Sequence, residues 1–403
     1  MTCPHAVAGS VRTYPFGDRV DLGLDPAYAE LRATEPVVRV AMPYGGEAWL
    51  LTRHADIKKA TTDPRLSMHA AADRDVPRAA ARALDSVGLM GMPAADHARL
   101  RRLVSRAFTA RRVAALRPRI AEITHSLVDD LVAGGGPADL VEKLALPLPT
   151  AVICEMLGIP HADRHIFRTF TEALMSASRY TEEQVGKAAE EYADYLRGYV
   201  AQRRARPEDD LLSALIEAHD EGEQLSENEL LMLTGGMLIG GHETTAGQLA
   251  SHVLVLLEDR TRYERLCAHP ELVPRAVEEL LRVVPLWSSV GPSRVATEDV
   301  KIGGVTVRAG EAVVYSLASA NRDEDVFTDA TDVLLDRETN PHIAFGQGPH
   351  YCPGAPLARA ELQTALEALT GRLPGLRLAV PADELTWHRE MLVRSLVTLP
   401  VTW

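Results

Sequence analysis

Phe345-Gly346-Gln347-Gly348-Pro349-His350-Tyr351-Cys352-Pro353-Gly354, continued by Ala355-Pro356-Leu357-Ala358-Arg359, is the stretch on which the reading of this chain turns. Three glycines and two prolines surround one cysteine, and an amphipathic helix is predicted directly after it, over about residues 356–373. Glycine lets a backbone turn tightly and approach a flat ligand closely. A helix N-terminus stabilises negative charge and lowers the pKa of a thiol. The loop therefore suits a rigidly held thiolate. Two other readings share the pattern. One is a plain Gly/Pro turn around an inert cysteine. The other is a cysteine nucleophile, which needs a histidine base oriented by an acid; His350 is near, but no acid is paired with it.

Outward from this loop the chain is dominated by helical periodicity. Leu100, Leu103, Val104, Ala107 and Phe108 form one apolar stripe. Further helices are predicted at about 116–133, 141–157, 181–204, 226–258 and 271–284, with a short one at 25–34. Short β segments are expected at 36–41 and 48–52, around the turn Tyr44-Gly45-Gly46. Others are expected at 300–307, turning through Gly303-Gly304, at 312–316 and at 396–401. Residues 66–95 show no period, and so long an irregular stretch in a compact protein points to function. The expected fold is mainly α with a small β region, as a single domain over residues 1–403. A chain of this length buries roughly 75% of its unfolded surface and can enclose a large cofactor.

The formal net charge is -13, from 43 basic and 56 acidic residues. That excludes a general nucleic-acid binder and disfavours anionic membranes. The four cysteines, Cys3, Cys154, Cys267 and Cys352, form no CxxC pair. A chain this long has little need of disulfides, so reduced thiols are expected. Cys154 and Cys267 read as inert packing residues. The first residues lack a basic n-region and an apolar h-region. The longest apolar stretch, 231–241, stops at His242 and Glu243, too short to span a bilayer. A cytoplasmic location is expected.

The predicted helix near 226–258 carries Gly235, Gly236, Gly240 and Gly241 in its interior. Each interior glycine costs about 1 kcal/mol relative to alanine. Close helix–helix packing would explain them. So would close passage over a flat cofactor, with the hydrogen-bond ladder loosened. His242, Glu243, Thr244 and Thr245 follow. An acid beside a hydroxyl in an apolar helix can handle protons. The plainer alternative is an exposed Glu and a Thr bonded back to its own helix. Elsewhere Glu279 and Arg282 face one another at i, i+3, as a surface or a buried pair. His97 and Arg101 lie one turn apart, in a region made basic by Arg99, Arg102, Arg106, Arg111 and Arg112. That region is a solvated face or a docking site for anionic groups.

The pattern Phe-Gly-x-Gly-x-His-x-Cys-x-Gly-x-x-Leu-Ala-Arg resembles the haem-binding signature of bacterial cytochromes P450 and matches it at every fixed position. The likeness runs from the block at Trp49 to the C-terminal Trp403. It implies the cytochrome P450 fold, with a long central helix over the haem and the cysteine loop beneath it. It implies haem b (iron protoporphyrin IX), with Cys352 as the metal ligand and Phe345 packed near the sulfur. Gly354 and Gly241 are expected beside the cofactor. His97, Arg101, Arg294 and His350 are expected on its propionates. Thiolate ligation favours O–O cleavage.

Gly-Gly-His-Glu-Thr-Thr resembles the family's oxygen-activation motif, which places Thr244 beside dioxygen, Glu243 in the proton-delivery chain, and His242 in a structural role. Glu279, Arg282 and Arg337 become a structural ion-pair network. The pocket implied is lined by Leu89, Met90 and Met92 in the segment 87–92, and by residues around 175–178. Met237, Gly240, Leu286, Trp287, Val290 and Leu392 complete it. Methionines make an adaptable wall, and Trp287 would stack on a ring, narrow the pocket, or simply pack.

The activity implied is that of an actinomycete-type monooxygenase in secondary-metabolite biosynthesis, of antibiotic, peptide or polyketide type. It inserts one oxygen atom from O2 into a small organic substrate, with hydroxylation, epoxidation and oxidative coupling all open. Electrons would come from ferredoxin and ferredoxin reductase. The competing class is a haem-binding sensor or carrier without turnover, which has no need of the Glu243–Thr244 pair. One position departs from the family: Pro353 follows the cysteine and has no N–H to point at the sulfur. Sulfur hydrogen bonds tune the reduction potential, so a lower potential is expected than with Leu there.

Overall fold

The computed structural model describes residues 11–17, 21–72, 74–81, 88–220 and 225–403. Its helices before the long central one are α1 (Ala27–Thr34), α2 (His54–Thr62), α3 (His69–Ala72), α4 (Ala94–Ala107), α5 (Ala110–Gly134), α6 (Pro147–Leu157), α7 (Arg164–Leu174), α8 (Glu182–Ala205) and α9 (Leu211–Asp220). The central helix is α10 (Glu227–Glu258). After it come α11 (Arg260–Ala268), α12 (Val273–Val283), α13 (Leu317–Ala320) and α14 (Ala355–Arg372). The strands are β1 (Arg12–Thr13), β2 (Val37–Ala41), β3 (Glu47–Leu51), β4 (Leu66–Ser67), β5 (Ala138–Asp139), β6 (Arg294–Ala296), β7 (Val300–Ile302), β8 (Val305–Val307), β9 (Ala312–Tyr315), β10 (Arg377–Leu378) and β11 (Pro400–Thr402).

Local chemistry fixes the ends of the key helices. Ser226 and Glu229 form a reciprocal capping box at the start of α10. Thr181 and Gln184 do the same for α8, each satisfying backbone donors that a helix start leaves open. Gly158 ends α6 at φ 70°, the left-handed conformation that glycine adopts without a Cβ penalty. The β7–β8 hairpin turns through Gly303 and Gly304 at φ 52° and 83°, as a two-residue turn with both φ positive requires.

A six-stranded mixed sheet, in the order β1-β2-β3-β9-β6-β4, gathers the early and late β segments. β2 and β3 pair antiparallel with Val38 opposite Leu50, and β3 runs parallel to β9 with Leu50 opposite Val314. The main apolar core extends from Leu100 to Val401 and is centred on α10. Most of α10 is buried on several sides, which explains why its sequence is apolar without one clear polar face. Its 32 residues span about 48 Å.

Several expectations are corrected. The single helix expected at 141–157 is two elements: a π-helical turn at Val141–Ala145, with Leu146 N–H donating to Val141 O, and then α6. Pro147 and Pro149 supply no N–H to continue one ladder. The strand expected at 396–401 is paired only as β11; Leu396 instead bridges Trp387. The irregular stretch 66–95 contains β4, α3 and the start of α4. Residue Val87 of the expected pocket segment, and Cys3, lie outside the described residues.

Candidate active site

Two adjacent acids of α12 carry the framework under the cysteine loop. Glu279 and Arg282 are 0% exposed and joined by two hydrogen bonds of 2.7 and 2.8 Å. Arg337 Nε (2.9 Å), Asn340 Nδ2 (3.1 Å) and the backbone N–H of Leu334 (2.9 Å) also donate to Glu279. Arg282 spends its remaining donors on the carbonyls of Asn321, Ala330 and Asp332. Both buried charges are thus paired and hydrogen-bonded, the condition under which burial is tolerated. Glu278, the neighbouring acid, takes Arg359 at 2.7 and 2.9 Å and His342 at 2.9 Å. Burial pushes the Glu278 carboxyl up, but these partners outweigh it and hold it at about 2.

Arg359 is the residue through which that framework reaches the loop, and the sequence reading assigned it no task. Its guanidinium lies 4.6 Å from the Phe345 ring centroid and donates to Tyr351 Oη. Its place at the end of the matched motif was the available signal. The loop itself is closed by the Cys352 N–H donating to Phe345 O at 2.9 Å. Gly346 and Gly348 have φ of 74° and 72°, and a Cβ on Gly348 would come 2.7 Å from Thr61 O. These two glycines are required by conformation and, at 348, by space.

Around Cys352 the structure gathers cations. Arg101 donates to Tyr351 O. The His97 and His350 rings are 4.3 Å apart. Burial lowers the His350 pKa to about 3, helped by Arg294, His97 and Arg101, with no carboxylate among the groups acting on it. Arg294 is 4% exposed and its Nε has no hydrogen-bond partner, although its Nη1 donates to Leu66 O. Packing pushes the Cys352 thiol up; the Gly354 N–H, Arg101, the Ala355 N–H and Arg359 act the other way. Pro353 removes one donor to the sulfur, and two remain at Gly354 and Ala355. This donor set fits haem b: one sulfur for the iron, and two arginines and two histidines with no acid beside them, Arg294 Nε without a partner, as N–H donors for the paired propionates.

Above the loop, α10 sorts its glycines into two kinds. A Cβ on Gly235 would meet Tyr192 and Leu196 of α8 at 3.2 and 3.3 Å. One on Gly241 would meet Ile153 of α6 at 3.2 Å. Those two glycines serve close helix packing. At Gly236 and Gly240 an added Cβ would have no heavy atom within 4 Å. Tyr192, which the sequence reading missed, also donates from Oη to Gly235 O at 3.1 Å and stacks on Phe170 of α7.

The polar turn follows. Thr244 Oγ1 donates to Gly240 O at 2.8 Å, so Thr244 does bond back to its own helix. Glu243 has a side chain 13% exposed, 3.6 Å from His242 Nε2, and is not the exposed acid of the plainer reading. Burial raises its pKa, Glu172 adds to this, and Arg168 and His388 oppose it. His242 is buried, with Nδ1 on Leu238 O at 2.8 Å, in keeping with a structural role.

Three of the five expected pocket segments, those near Met175, Leu286 and Leu392, are stitched together. Leu392 N–H donates to Met175 O, Ser288 N–H donates to Leu392 O, and Arg394 N–H donates to Leu286 O, at 2.8 to 2.9 Å. Trp287 bridges Val393. Leu89, Met92, Leu286 and Trp287 pack at the edge of the main core, and Met237 and Leu392 belong to the buried residues. Met90 is half-buried. Val290 is partly buried against the sheet cluster of Val38, Val40 and Val314.

One thiol offered to a metal, cations without acids beside it, and an acid–hydroxyl pair on the helix above define a haem-thiolate oxygenase. The comparisons agree. Residues 50–270 and 265–372 match the Cytochrome P450 family. The chain is 51% identical over 393 residues to nocardicin C N-oxygenase of Nocardia uniformis subsp. tsuyamanensis, covering 97% of this chain and 98% of that protein. It is 47% identical over 392 residues to mycinamicin IV hydroxylase/epoxidase of Micromonospora griseorubida, with the same coverage. The crystal structure of HinD with NMFT and NO superposes with a TM-score of 0.94 at 47% identity, over 98% of this chain and all of that one. The chain belongs to the cytochrome P450 family; it is a haem b monooxygenase that acts on a small organic substrate with O2. Among the described residues, no helix is long and apolar enough to cross a membrane.

Proposed function

We propose that this enzyme tailors an actinomycete secondary metabolite of antibiotic type. Ferredoxin and ferredoxin reductase would supply its electrons. The related proteins that oxygenate nocardicin C and mycinamicin IV support the setting. In this reading Cys352 Sγ holds the iron. His97, Arg101, Arg294 and His350 hold the propionates, and Phe345 and Gly354 flank the sulfur. Haem, when bound there, supplies the redox chemistry that splits O2, leaving one atom in the product and one in water. Glu243 and Thr244 deliver the protons this requires. Burial keeps Glu243 protonated to higher pH than an ordinary carboxyl, so it has a proton to give. The hydroxyl of Thr244 relays it from a turn whose acceptor, Gly240 O, fixes its rotamer. The buried apolar walls exclude bulk water from the substrate.

The observation that carries this reading is the convergence of Arg294, Arg101, His97 and His350 beside Cys352 with no acid among them. The reduced, CO-treated protein should show the red-shifted Soret band of a thiolate-ligated haem. Thr244→Ala should keep that band while diverting NADPH consumption, with a surrogate ferredoxin system, towards peroxide. A general acid relay contributes about 10²–10⁴-fold, so product per NADPH should fall steeply. A Thr244→Ala enzyme with unchanged coupling would remove Thr244 from proton delivery.

A further inference from the structure

Arg394 follows directly on the turn 391–393, and its polar groups reach separate parts of the chain. Its N–H donates to Leu286 O at 2.8 Å and its Nε to Trp287 O at 3.2 Å. Its Nη1 donates to Asp21 O and, at 2.9 Å, to Gly23 O. Its own carbonyl stands 3.1 Å from where a Cβ on Gly247 of α10 would lie. Glycine at 247, one turn past Thr244, is therefore what lets this segment close on the helix. Arg394 is 8% exposed. A planar guanidinium, with donors pointing in several fixed directions, can serve two acceptor segments from one buried side chain.

The stretch that Arg394 grips, ahead of α1, is held by a second arginine. Leu22 O, between the two carbonyls on Arg394, accepts from Arg322 Nη2 at 3.4 Å, and the same nitrogen donates to Val283 O at the end of α12. Gly23 N–H closes back on Asp21 Oδ1 at 2.7 Å, an Asx turn that fixes the run locally. Residues 21–23 thus form a strap with no helix or strand of its own, and each of its consecutive carbonyls meets a guanidinium. Mere packing of a surface segment needs no such convergence. Here the bonds run to the residue after Val393, to the arginine that also holds α12, and through Arg394 to the backbone at Trp287. A buried guanidinium that loses its acceptors is costly, so displacing the strap displaces the turn with it.

We infer that Arg394 is a positioning residue and that the strap 21–23 is its anchor. Together they fix where the turn 391–393 and the backbone of Trp287 stand against α10, and so the shape in which a bulky substrate is held. The inference rests on the function proposed above, with Leu392 and Trp287 bordering the substrate. Arg394 itself touches no reacting atom. Lysine at 394 would keep the charge but offers one compact ammonium, which cannot serve Trp287 O and the strap together. Alanine at 21 would remove the acceptor of the Asx turn and loosen the strap while leaving Arg394 in place.

The test uses the haem-loaded full chain and two probes that ligate haem iron through an imidazole nitrogen. Imidazole itself reports on the iron alone, whereas clotrimazole carries a bulky triaryl group that presses on the walls. Binding is read as the red shift of the Soret band, independent of turnover. Arg394→Lys should weaken clotrimazole by about tenfold and leave imidazole within about twofold, because a wall displaced by a methylene's width carries effects of that order. Asp21→Ala should shift the clotrimazole-to-imidazole ratio the same way, by about threefold. A purely stabilising role for Arg394 would lower the melting temperature and leave the ratio untouched. Should Arg394→Lys fail to incorporate haem, the half-buried Asp21 position decides alone. An unchanged ratio in either variant, with a normal CO spectrum, would overturn the inference. Loss of the thiolate-type CO band in the parent protein would instead strike at the function on which it rests.

Discussion

Pro353 is the residue where this chain spends least on its sulfur. The Cys352 thiol is met by the N–H groups of Gly354 and Ala355, whereas the position directly after the cysteine has none to offer. Each N–H aimed at a ligand sulfur withdraws electron density and raises the reduction potential. Pro353→Leu restores a donor without changing the charge or the glycines on which the loop turns. Redox titration should find the haem potential of that variant higher than in the parent. An equal or lower potential would mean that the restored N–H does not reach the sulfur. The variant should fold, because Pro353 lies before α14 and no ladder bond depends on it. The same scale shows what sequence alone conveys about a site. Cys352, His350 and Phe345 stood out because they fall in one contiguous pattern with the loop's glycines and prolines. The four glycines of α10 were visible but could not be told apart. Which of them touches a neighbour depends on α6 and α8, whose approach no local pattern records.

At the scale of elements, α12 is a rigid brace with two independent clamps. Glu279 holds Arg282 and the segment that carries Arg337, both by charge-assisted hydrogen bonds. Arg282→Ala would leave Glu279 buried with only Arg337, Asn340 and a backbone N–H. Breaking a buried pair in this way costs roughly 3–5 kcal/mol. Urea denaturation should show that loss, with haem released earlier in the transition; a loss under about 1 kcal/mol would assign the pair to the surface class. The second clamp, Glu278 with Arg359 and His342, predicts a pH dependence. Its folded-state pKa is about 2, below the usual carboxyl value of 4.5. A carboxyl depressed on folding stabilises the folded state fully above its unfolded pKa and loses that contribution as pH falls through the folded one. Thermal stability of the parent should therefore fall between about pH 4.5 and 2, and Glu278→Gln should flatten that fall. Helix existence was well read from the sequence where helices are long, as for α5, α8, α10 and α14. The unread α2, α7, α9 and α11 are 9, 11, 10 and 9 residues long. Helices so short draw their stability mainly from tertiary packing. Ile166, Phe170 and Leu174 of α7 do recur every fourth residue, so that element was within reach of periodicity.

For the whole molecule the governing fact is a net charge of -13 that is unevenly spread. Arg102, Arg106, Arg111 and Arg112, on α4 and the start of α5, are all exposed. None of the four forms an ion pair with an acid among the described residues, whereas Arg99 and Arg119 on the same two helices do. A field that is repulsive to anions overall steers an acidic partner towards an uncompensated basic patch such as this one. The patch adjoins the cysteine loop, because Arg101, on the same helix, donates to Tyr351 O. An electron donor bound there would sit on the sulfur side of the site. Steered association is sensitive to screening, whose length falls from about 10 Å at 0.1 M to 3 Å at 1 M salt. Stopped-flow reduction by an acidic plant-type ferredoxin should therefore slow steeply as salt rises. Charge reversal by Arg106→Glu with Arg112→Glu should slow it by about tenfold or more at low salt and remove most of the salt dependence. Azole binding at the haem should stay unchanged in that variant, since both positions face outward. A reduction rate indifferent to salt and to both reversals would place the donor on another face, and the exposed arginines would then be no more than a solvated stretch of helix.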